Sequence, residues 1–258
     1  MFSMSSKYKK ANKIKNQYDS VSDKQKITFF TGAGISKESG LDTFRDSDGL
    51  WNNYRIEDVA TARAIKKDFN TVIDFYNMRR REMLNALPNK AHSLIKQLEN
   101  YYEIAVVTQN VDNLHEKAGS SSIIHLHGEI LKSRPVSNTK ILYDQYEDIK
   151  LDERCPKTNS KLRPHIVLFN ENLDEDNYNA AKKHIRQSDI VVVIGTSLQV
   201  NPAALLVTES NSKAKLYFIN PEEDVNQTYY KNFYSEITHL NKVATEGMEI
   251  LYSILKPK

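Results

Sequence analysis

Three things are scarce in this 258-residue chain: cysteine, glycine and long apolar runs. The single cysteine, Cys155, excludes an internal disulfide framework and suits a reducing compartment, so we expect a cytoplasmic protein. No apolar run approaches the roughly 18 residues that a membrane-spanning helix needs, so we expect no membrane partner. The net charge is only +3, without a basic stripe interleaved with aromatic residues. This argues against a nucleic-acid partner.

Glycine is concentrated in one place. Of the 8 glycines, Gly32, Gly34, Gly40 and Gly49 fall between residues 32 and 49. Because glycine permits positive φ and close backbone approach, this segment predicts an unusual backbone that serves a ligand.

Short apolar runs alternate with helical patterns along the chain. The runs begin at Ile27, Ile104, Ile190 and Leu216, and each is nearly continuously apolar, as in strands covered on both faces. Between them, residues 90–100 and 176–187 place apolar side chains on one helical face. The alternation predicts an α/β fold with a doubly wound parallel sheet, in which ligands bind at the carboxyl ends of the strands.

The pattern also suggests how the chain is divided. Residues 27–53, 88–128 and 165–255 carry the strand and helix alternation, and we expect them to form the larger domain. Residues 54–87 are helical and polar, and residues 129–164 contain prolines without a clear period. We expect these two stretches to form a small inserted domain. Residues 1–26 lack arginine and an apolar face, which favours a solvated extension over an import segment.

The first apolar run leads into Gly32-Ala33-Gly34-Ile35-Ser36, which is similar to a pyrophosphate-binding turn. In such a turn small residues let backbone N–H groups approach phosphates, and a following helix N-terminus adds its dipole. A plain tight turn is an equally good explanation of the glycines alone.

Longer motifs decide between these explanations. They are GAGISKESGLDTFRDSDGLW (32–51), TQNVDNLHEKAG (108–119), HLHGE (125–129), LRPHIVLFNENL (162–173), GTSLQVNPAA (195–204) and the dipeptide at 219–220. In this order they resemble the sirtuin family over roughly residues 27–252, and most of all its bacterial class III, desuccinylase-type members. The resemblance implies a Rossmann-like NAD-binding domain. It also implies an NAD-dependent protein-lysine deacylase that releases nicotinamide, O-acyl-ADP-ribose and free lysine.

The same resemblance implies the residues that bind NAD. The glycine turn would cradle the phosphates, while Phe44 and Arg45 would lie on a loop that closes over the co-substrate. Asp112 would hold the nicotinamide carboxamide and Asn110 a ribose. The full implied set is Gly32, Ala33, Gly34, Ile35, Phe44, Arg45, Trp51, Gln109, Asn110, Val111, Asp112, Gly195, Thr196, Ser197, Asn220 and Ala244.

Within HLHGE, the family match assigns the catalytic base to His127. A histidine accepts a proton near neutral pH, as deprotonation of a ribose hydroxyl requires. His125 lies two residues earlier, and we interpret it as a structural partner.

The helix around residue 76 carries the substrate prediction. Tyr76 and Arg79 are three residues apart and can face the same way. In sirtuins that remove succinyl, malonyl or glutaryl groups, such a pair holds the distal carboxylate, so the resemblance implies that preference here, with acetyl also accepted. The alternative is a surface arginine run beside a packed tyrosine. The partner would be an acyl-lysine protein or peptide, contacted by Phe169, Asn170, Glu171 and Val200, and we expect the protein itself to be a monomer.

Two departures from the family have consequences. Most sirtuins hold a structural zinc on two Cys-x-x-Cys pairs, whereas this chain has only Cys155, with Thr158 in the place of its partner. One thiolate cannot build a four-cysteine site, so we expect no zinc or other metal and a small domain held by packing alone. Asn170 replaces the usual glycine of the peptide-binding strand, where β-augmentation would occur.

Two other functions stay open from the sequence. The same NAD pocket could serve an NAD hydrolase or an ADP-ribosyltransferase, and Asn170 and the missing zinc leave room for either. A non-catalytic NAD-sensing module is also conceivable, but complete pocket residues and His127 argue against it.

Overall fold

A computed structural model describes residues 24–42, 50–51, 54–221 and 227–257. The described strands are β1 (Lys26–Thr31), β2 (Leu50–Trp51), β3 (Tyr54–Arg55), β4 (Glu103–Thr108), β5 (Ile123–His125), β6 (Gly128–Pro135), β7 (Tyr143–Asp144), β8 (Leu162–Ile166), β9 (Ile190–Ile194), β10 (Lys215–Ile219) and β11 (Glu236–Leu240). The described helices are α1 (Ile56–Val59), α2 (Ala62–Lys67), α3 (Phe69–Asn85), α4 (Lys90–Leu98), α5 (Leu114–Ala118), α6 (Glu175–Gln187), α7 (Gln227–Tyr230) and α8 (Ala244–Leu255).

Six strands form one parallel sheet in the order β11–β10–β9–β1–β4–β5. The four apolar runs are its four inner strands, so the predicted doubly wound α/β fold is confirmed. Strands β5 and β11, at the two edges, were not predicted. The chain leaves β1 toward β4 on one side, and β9 lies on the other, which creates a topological switch point at the carboxyl end of β1.

Both faces of this sheet are buried, as the continuously apolar strands require. On β1, for example, Phe29 packs into one hydrophobic cluster and Phe30 into the other. Helices α4 and α8 cover the first face. Helix α6 and the 3-10 segment Ala203–Glu209 cover the second.

A second, three-stranded antiparallel sheet has the order β7–β6–β8 and packs against α3. The sequence did not predict it, because the register of β6 against β8 shifts between Glu129 and Ser133 and breaks the alternation of side chains. Most of this sheet and α3 fall in the stretches assigned to an inserted domain, and that division stays a prediction.

Packing alone does not hold the small sheet, contrary to the expectation from the sequence. Arg80 is fully buried and donates through Nε to the carbonyl of Ile130 (3.1 Å) and through Nη1 to Oδ1 of Asn77 (2.5 Å). Asn77 in turn bonds both the N–H and the carbonyl of Ile149, each at 2.9 Å. Burial lowers the pKa of Arg80 to about 10, which leaves it charged at neutral pH. A side-chain network therefore ties α3 to the strands and loops beside it.

Cys155 lies in the hydrophobic cluster of the same region, with Ile73, Ile149 and Leu162. Its sulfur is 3.3 Å from the hydroxyl of Tyr143. In the described ranges no three His, Cys, Asp or Glu residues cluster as metal ligands would. The absence of zinc remains a prediction from the cysteine count. None of the described helices is long and apolar enough to cross a membrane.

Candidate active site

A cavity of about 420 Å³ opens at the carboxyl ends of the parallel strands and continues to the small sheet. This is the position at which α/β sheets bind ligands. Most of the predicted site residues line it. They are Ala33, Gly34, Tyr76, Arg79, Gln109, Asn110, Val111, Asp112, His127, Phe169, Asn170, Glu171, Gly195, Thr196, Ser197, Val200, Asn220 and Ala244.

The other predicted residues do not line the cavity or cannot be assessed there. Gly32 and Ile35 belong to the glycine turn, but their atoms are not part of the cavity wall. Phe44 and Arg45 lie outside the described residues. For Trp51 only the backbone of β2 is described.

The glycines of the first turn serve a close contact between two turns. A Cβ on Gly34 would lie 2.6 Å from Cα of Gly195, and a Cβ on Gly32 would lie 2.6 Å from Cβ of Thr196. The N–H groups of Gly32 and Gly34 donate to the carbonyls of Ile194 and Gly195, both at 2.9 Å. These two N–H groups are thus engaged within the protein, and the glycines bring the two turns together rather than expose their amides.

The helix expected after this turn is absent. The chain forms two 3-10 turns instead, Ala33–Ile35 and Lys37–Ser39. Each of these short turns has few aligned peptide units and therefore a small dipole. The prediction that a helix dipole contributes to this site is wrong.

A buried hydrogen-bond chain joins the glycine turn to the segment after β4. The amide of Asn110 donates to the carbonyl of Gly32 and to Oγ of Ser36, each at 3.2 Å. Ser36 then donates to Oδ2 of Asp112 at 2.9 Å, and Oδ1 accepts from the N–H of Leu114. Burial raises the pKa of Asp112, while these hydrogen bonds oppose the rise. The sequence reasoning did not single out Ser36, although it stands inside the glycine motif.

His127 is oriented for proton transfer. Its Nδ1 is 2.9 Å from the carbonyl of Gln109, and since a carbonyl only accepts, Nδ1 carries the proton. Nε2 is therefore an acceptor on a ring that lines the cavity. Burial lowers the pKa of His127, which keeps the ring neutral at physiological pH. This is the state that a general base needs.

His125 and His127 both contact backbone carbonyls of the segment that follows β4. Strand β5 ends at His125, and the chain bends through Leu126 and His127. Both rings consequently reach the same stretch of backbone. His125 Nδ1 is 3.1 Å from the carbonyl of Asn110, next to the carbonyl that His127 contacts.

Tyr76 and Arg79 both face the cavity from α3, and both are buried. Burial raises the pKa of Tyr76, so its hydroxyl is protonated and can donate. Arg79 is only 2% exposed and forms a 2.6 Å ion pair with Glu82, whose side chain is 39% exposed. The alternative of a surface arginine run is wrong for Arg79 and Arg80, and holds only for Arg81. The sequence reasoning missed Glu82, although its i, i+3 spacing from Arg79 was readable.

The predicted peptide-binding strand stops early. Strand β8 ends at Ile166, and Phe169 instead forms an isolated bridge with Thr61. The N–H of Phe169 donates to the carbonyl of Ala60 at 2.8 Å. The carboxylate of Glu171 accepts from Arg163 at 2.6 and 3.1 Å, so its charge is neutralised within the protein and it shapes this segment of the cavity wall.

Asn170 has φ of 67°, in the left-handed region that glycine enters freely. Asparagine is among the few other residues that tolerate this region. Asn170 therefore occupies a backbone conformation that glycine would also adopt readily.

The site contains polar groups suited to a dinucleotide. Gln109 Nε2 is buried without a hydrogen-bond partner in the part of the chain that the structure describes, while its Oε1 is 3.4 Å from the hydroxyl of Thr196. Such an orphaned donor is costly unless a ligand completes it. The cavity also extends past Asn220 to Ala244 at the first turn of α8.

Comparison with known proteins agrees with this geometry. The Sir2 family profile matches residues 32–202. The chain is 44% identical over 196 residues to an NAD-dependent protein deacylase of Helicobacter pylori, which covers 76% of this chain and 84% of the relative. A Sir2 homologue solved with NAD is 35% identical, with a TM-score of 0.77 and 90% coverage of each chain. Sir2 solved with 2'-O-acetyl-ADP-ribose, an inhibitor and a deacetylated peptide is 29% identical, with a TM-score of 0.71 and coverage of 95% and 98%. The chain therefore belongs to the Sir2 family, and it is an NAD-dependent protein deacylase.

Proposed function

We propose that this deacylase prefers lysines that carry succinyl, malonyl or glutaryl groups, and that it also accepts acetyl-lysine. The observation that carries the proposal is the burial of Tyr76 and Arg79 in the cavity that also contains His127. An acyl chain that reaches from His127 toward α3 would bring its far end to these two donors.

The surroundings of the pair suit a short carbon chain that ends in a carboxylate. Leu41, Met83, Ile166 and Leu168 line the same cavity. In apolar surroundings an arginine fork binds a carboxylate in a two-pronged, charge-assisted geometry, and a tyrosine hydroxyl adds one neutral donor.

Glu82 explains why acetyl-lysine would also be accepted. Its carboxylate already contacts Arg79 at 2.6 Å, so a neutral acyl group does not leave a buried guanidinium without a counter-charge. A dicarboxylic acyl group would share Arg79 with Glu82 or displace it. Because Glu82 is the more exposed partner, it can turn toward water when displaced.

The proton-transfer step follows from the tautomer of His127. NAD supplies an electrophilic ribose carbon and nicotinamide as its leaving group. His127 Nε2 would accept the proton of a ribose hydroxyl, while the Gln109 carbonyl stabilises the imidazolium through Nδ1–H. The buried carboxyl of Asp112 and the orphaned amide of Gln109 would hold and orient the polar groups of the co-substrate.

The remaining contacts are assigned by position. The turns at Ala33–Gly34 and Gly195–Ser197 would border the phosphates and a ribose, with Asn220 and Ala244 near the adenosine. A peptide of the kind bound by the Sir2 relative would lie along Phe169–Asn170 and Val200. The lone Cys155 supports a cytoplasmic location.

The alternative is NAD hydrolysis or ADP-ribosyl transfer without an acyl-lysine. One reason for it was Asn170, and that reason is weaker because asparagine tolerates the left-handed backbone at that position. Release of nicotinamide at the same rate with and without acyl peptide would favour the alternative.

The specificity is tested with succinyl and acetyl peptides of one sequence, with kcat/KM measured for each by mass spectrometry of the products. We expect Arg79→Met to lower kcat/KM for the succinyl peptide about 100-fold, since a buried charge-assisted pair is lost, and for the acetyl peptide less than about five-fold. His127→Asn should abolish both reactions.

Arg81→Met is the matched control. Arg81 stands two residues along the same helix, but it is exposed and pairs with Asp148. Both activities of this variant should stay near those of the wild type. If Arg79→Met lowered kcat/KM equally for the two peptides, the proposed acidic-acyl preference would be wrong. The conclusion that the protein is a deacylase would still stand.

A further inference from the structure

The two histidines of the His-Leu-His segment contact consecutive carbonyls of one loop. His127 Nδ1 is 2.9 Å from the carbonyl of Gln109, and His125 Nδ1 is 3.1 Å from that of Asn110. These carbonyls belong to the segment whose side chains at 109, 110 and 112 face the cavity. The rings thus fix the backbone from which the polar side chains of the pocket project.

The partner of the second ring nitrogen separates the two histidines. His127 Nε2 is on the cavity side, whereas His125 Nε2 is 2.7 Å from Oε1 of Glu116 on α5. A carbonyl and a carboxylate are both acceptors, so both nitrogens of His125 must carry protons. His125 is consequently an imidazolium, buried to 7% exposure, and Glu116 is its counter-charge. Two residues apart, one ring is a neutral base and the other a fixed cation.

We propose that the Glu116–His125 ion pair is a positioning device that holds the Gln109–Asp112 loop in its NAD-binding conformation. Three elements meet there: Glu116 from α5, His125 from the end of β5, and the loop that follows β4. The carbonyl of His125 is itself anchored, since it accepts from Nδ2 of Asn177 on α6 at 3.0 Å. The proposal rests on the NAD role assigned above to this loop.

Glu116 and His125 do not line the cavity, so they act only through the loop. A loop that loses one of two carbonyl restraints samples other conformations, and the co-substrate must then select the competent one. The expected defect is weaker NAD binding, with peptide binding and the turnover of bound complexes little changed.

The test compares Glu116→Ala, Glu116→Gln and the wild type by calorimetric NAD binding, steady-state kinetics and thermal unfolding. Glu116→Ala should raise the Kd and KM for NAD about ten-fold, and change kcat and the peptide KM less than about two-fold. Glu116→Gln should restore NAD binding to within about three-fold of wild type, because its amide can donate to Nε2 of a neutral His125 whose Nδ1–H still reaches Asn110.

Glu129→Gln is the control for charge alone. Glu129 acts on His125 through its charge, but its carboxylate contacts Lys132 at 2.8 Å. NAD binding by this variant should match the wild type. If Glu116→Ala lowers the unfolding temperature without changing the Kd for NAD, the pair is merely structural and the proposal is overturned.

A pH series supplies a readout that a structural role would not move. The charged and titratable groups around His125 are Glu116 and His115 on α5, Glu129 on β6 and Asp112 in the loop. Burial alone would lower the pKa of His125, but the bond and charge of Glu116 raise it. Wild-type NAD affinity should therefore fall as the pH rises through that raised value, and Glu116→Gln should lack this decline. An identical pH profile in both proteins would contradict the proposal.

An Asp112→Asn variant tests the role of the loop in NAD binding separately from the role of the ion pair. If it leaves NAD binding unchanged, the assigned role of the loop fails and the positioning proposal fails with it. If it weakens NAD binding while Glu116→Ala does not, the role of the loop stands and the ion pair is not its positioning device. If Glu116→Ala does not fold, Glu116→Gln and its pH profile still decide the question.

Discussion

The two sheets hold their sides of the cavity by different means. On the parallel sheet, the turns after β1 and β9 touch backbone to backbone, and glycines at 32, 34 and 195 make the approach possible. Around the three-stranded sheet, α3 is fastened by side chains that cross buried space, with Arg80 and Asn77 at the centre. The first solution depends on the absence of side chains and the second on their hydrogen bonds.

Because of this difference, the two sides of the cavity are sensitive to different kinds of substitution. A backbone contact tolerates no added atom, because the neighbouring turn cannot move without its strand. A buried polar network tolerates no lost atom, because each remaining donor or acceptor is left without water or a partner. The three-stranded sheet thus depends on this side-chain network in addition to its apolar packing.

The largest expected effect comes from adding one methyl group at the contact of the two turns. Gly195 has φ of 62°, and a Cβ there would lie 2.4 Å from the nitrogen of Ile35. Gly195→Ala should therefore lower the free energy of unfolding by about 4 kcal/mol, measured by urea denaturation, and abolish NAD binding.

Gly40→Ala distinguishes the cost of a steric clash from the cost of a positive φ. Gly40 has φ of 82°, but among the residues that the structure describes a Cβ there meets no atom within 4 Å. Its cost should be only the left-handed penalty of about 1–2 kcal/mol. Equal losses in the two variants would show that the angle, and not the close approach, makes glycine necessary at Gly195.

Removing the side-chain amide of Asn77, on the helix α3 that packs against the three-stranded sheet, should have the next largest effect. Asn77→Ala removes the hydrogen-bond partner of the N–H and carbonyl of Ile149 and of one donor of Arg80. We therefore expect the free energy of unfolding to fall by about 2–4 kcal/mol. Asn85→Ala, on the exposed end of the same helix, should cost less than about 0.5 kcal/mol. A small loss at Asn77 would mean that packing alone holds this sheet after all.

The sequence predicted the inner strands well because their apolar runs are continuous. The edge strands escaped prediction for the opposite reason. Strand β5 has three residues, and β11 is only partly buried along its length, so neither has the apolar signal of a strand covered on both faces. The register shift in β6 likewise removed the alternation that predicts a half-buried strand.

The candidate site was predicted from its motifs, but the physical roles within it were not. The glycine pattern located the turn without revealing that its glycines face another turn. The motif at 125–129 identified both histidines, whereas their opposite charge states depend on Glu116 and on the carbonyl of Gln109. Arg80 appeared as part of a surface run, because arginine is rarely buried unless distant residues supply its partners. Each of these roles is set by contacts between residues far apart in the chain.

The smallest expected effect concerns buried imidazoles on the two sides. His92, on α4 beside the parallel sheet, is fully buried with its ring 4.9 Å from that of His115, and burial lowers its pKa to about 4. His165, on β8, is partly exposed, and its pKa is lowered, again mainly by burial, to about 4. Unfolded histidines titrate near 6.5, so between pH 6.5 and 4 the unfolded chain binds more protons and the folded state loses stability as the pH falls.

Replacing His92 by Gln should flatten this loss between pH 6.5 and 5 by up to about 1.4 kcal/mol per pH unit, which is the value for one proton. His165→Gln should flatten it by a similar amount over the same range, because the folded pKa of His165 is also about 4. The measurement is the free energy of urea unfolding at half-unit pH steps, above the range in which carboxylates titrate. If only one of the two variants flattened the curve, the acid sensitivity would lie on one side of the cavity rather than on both.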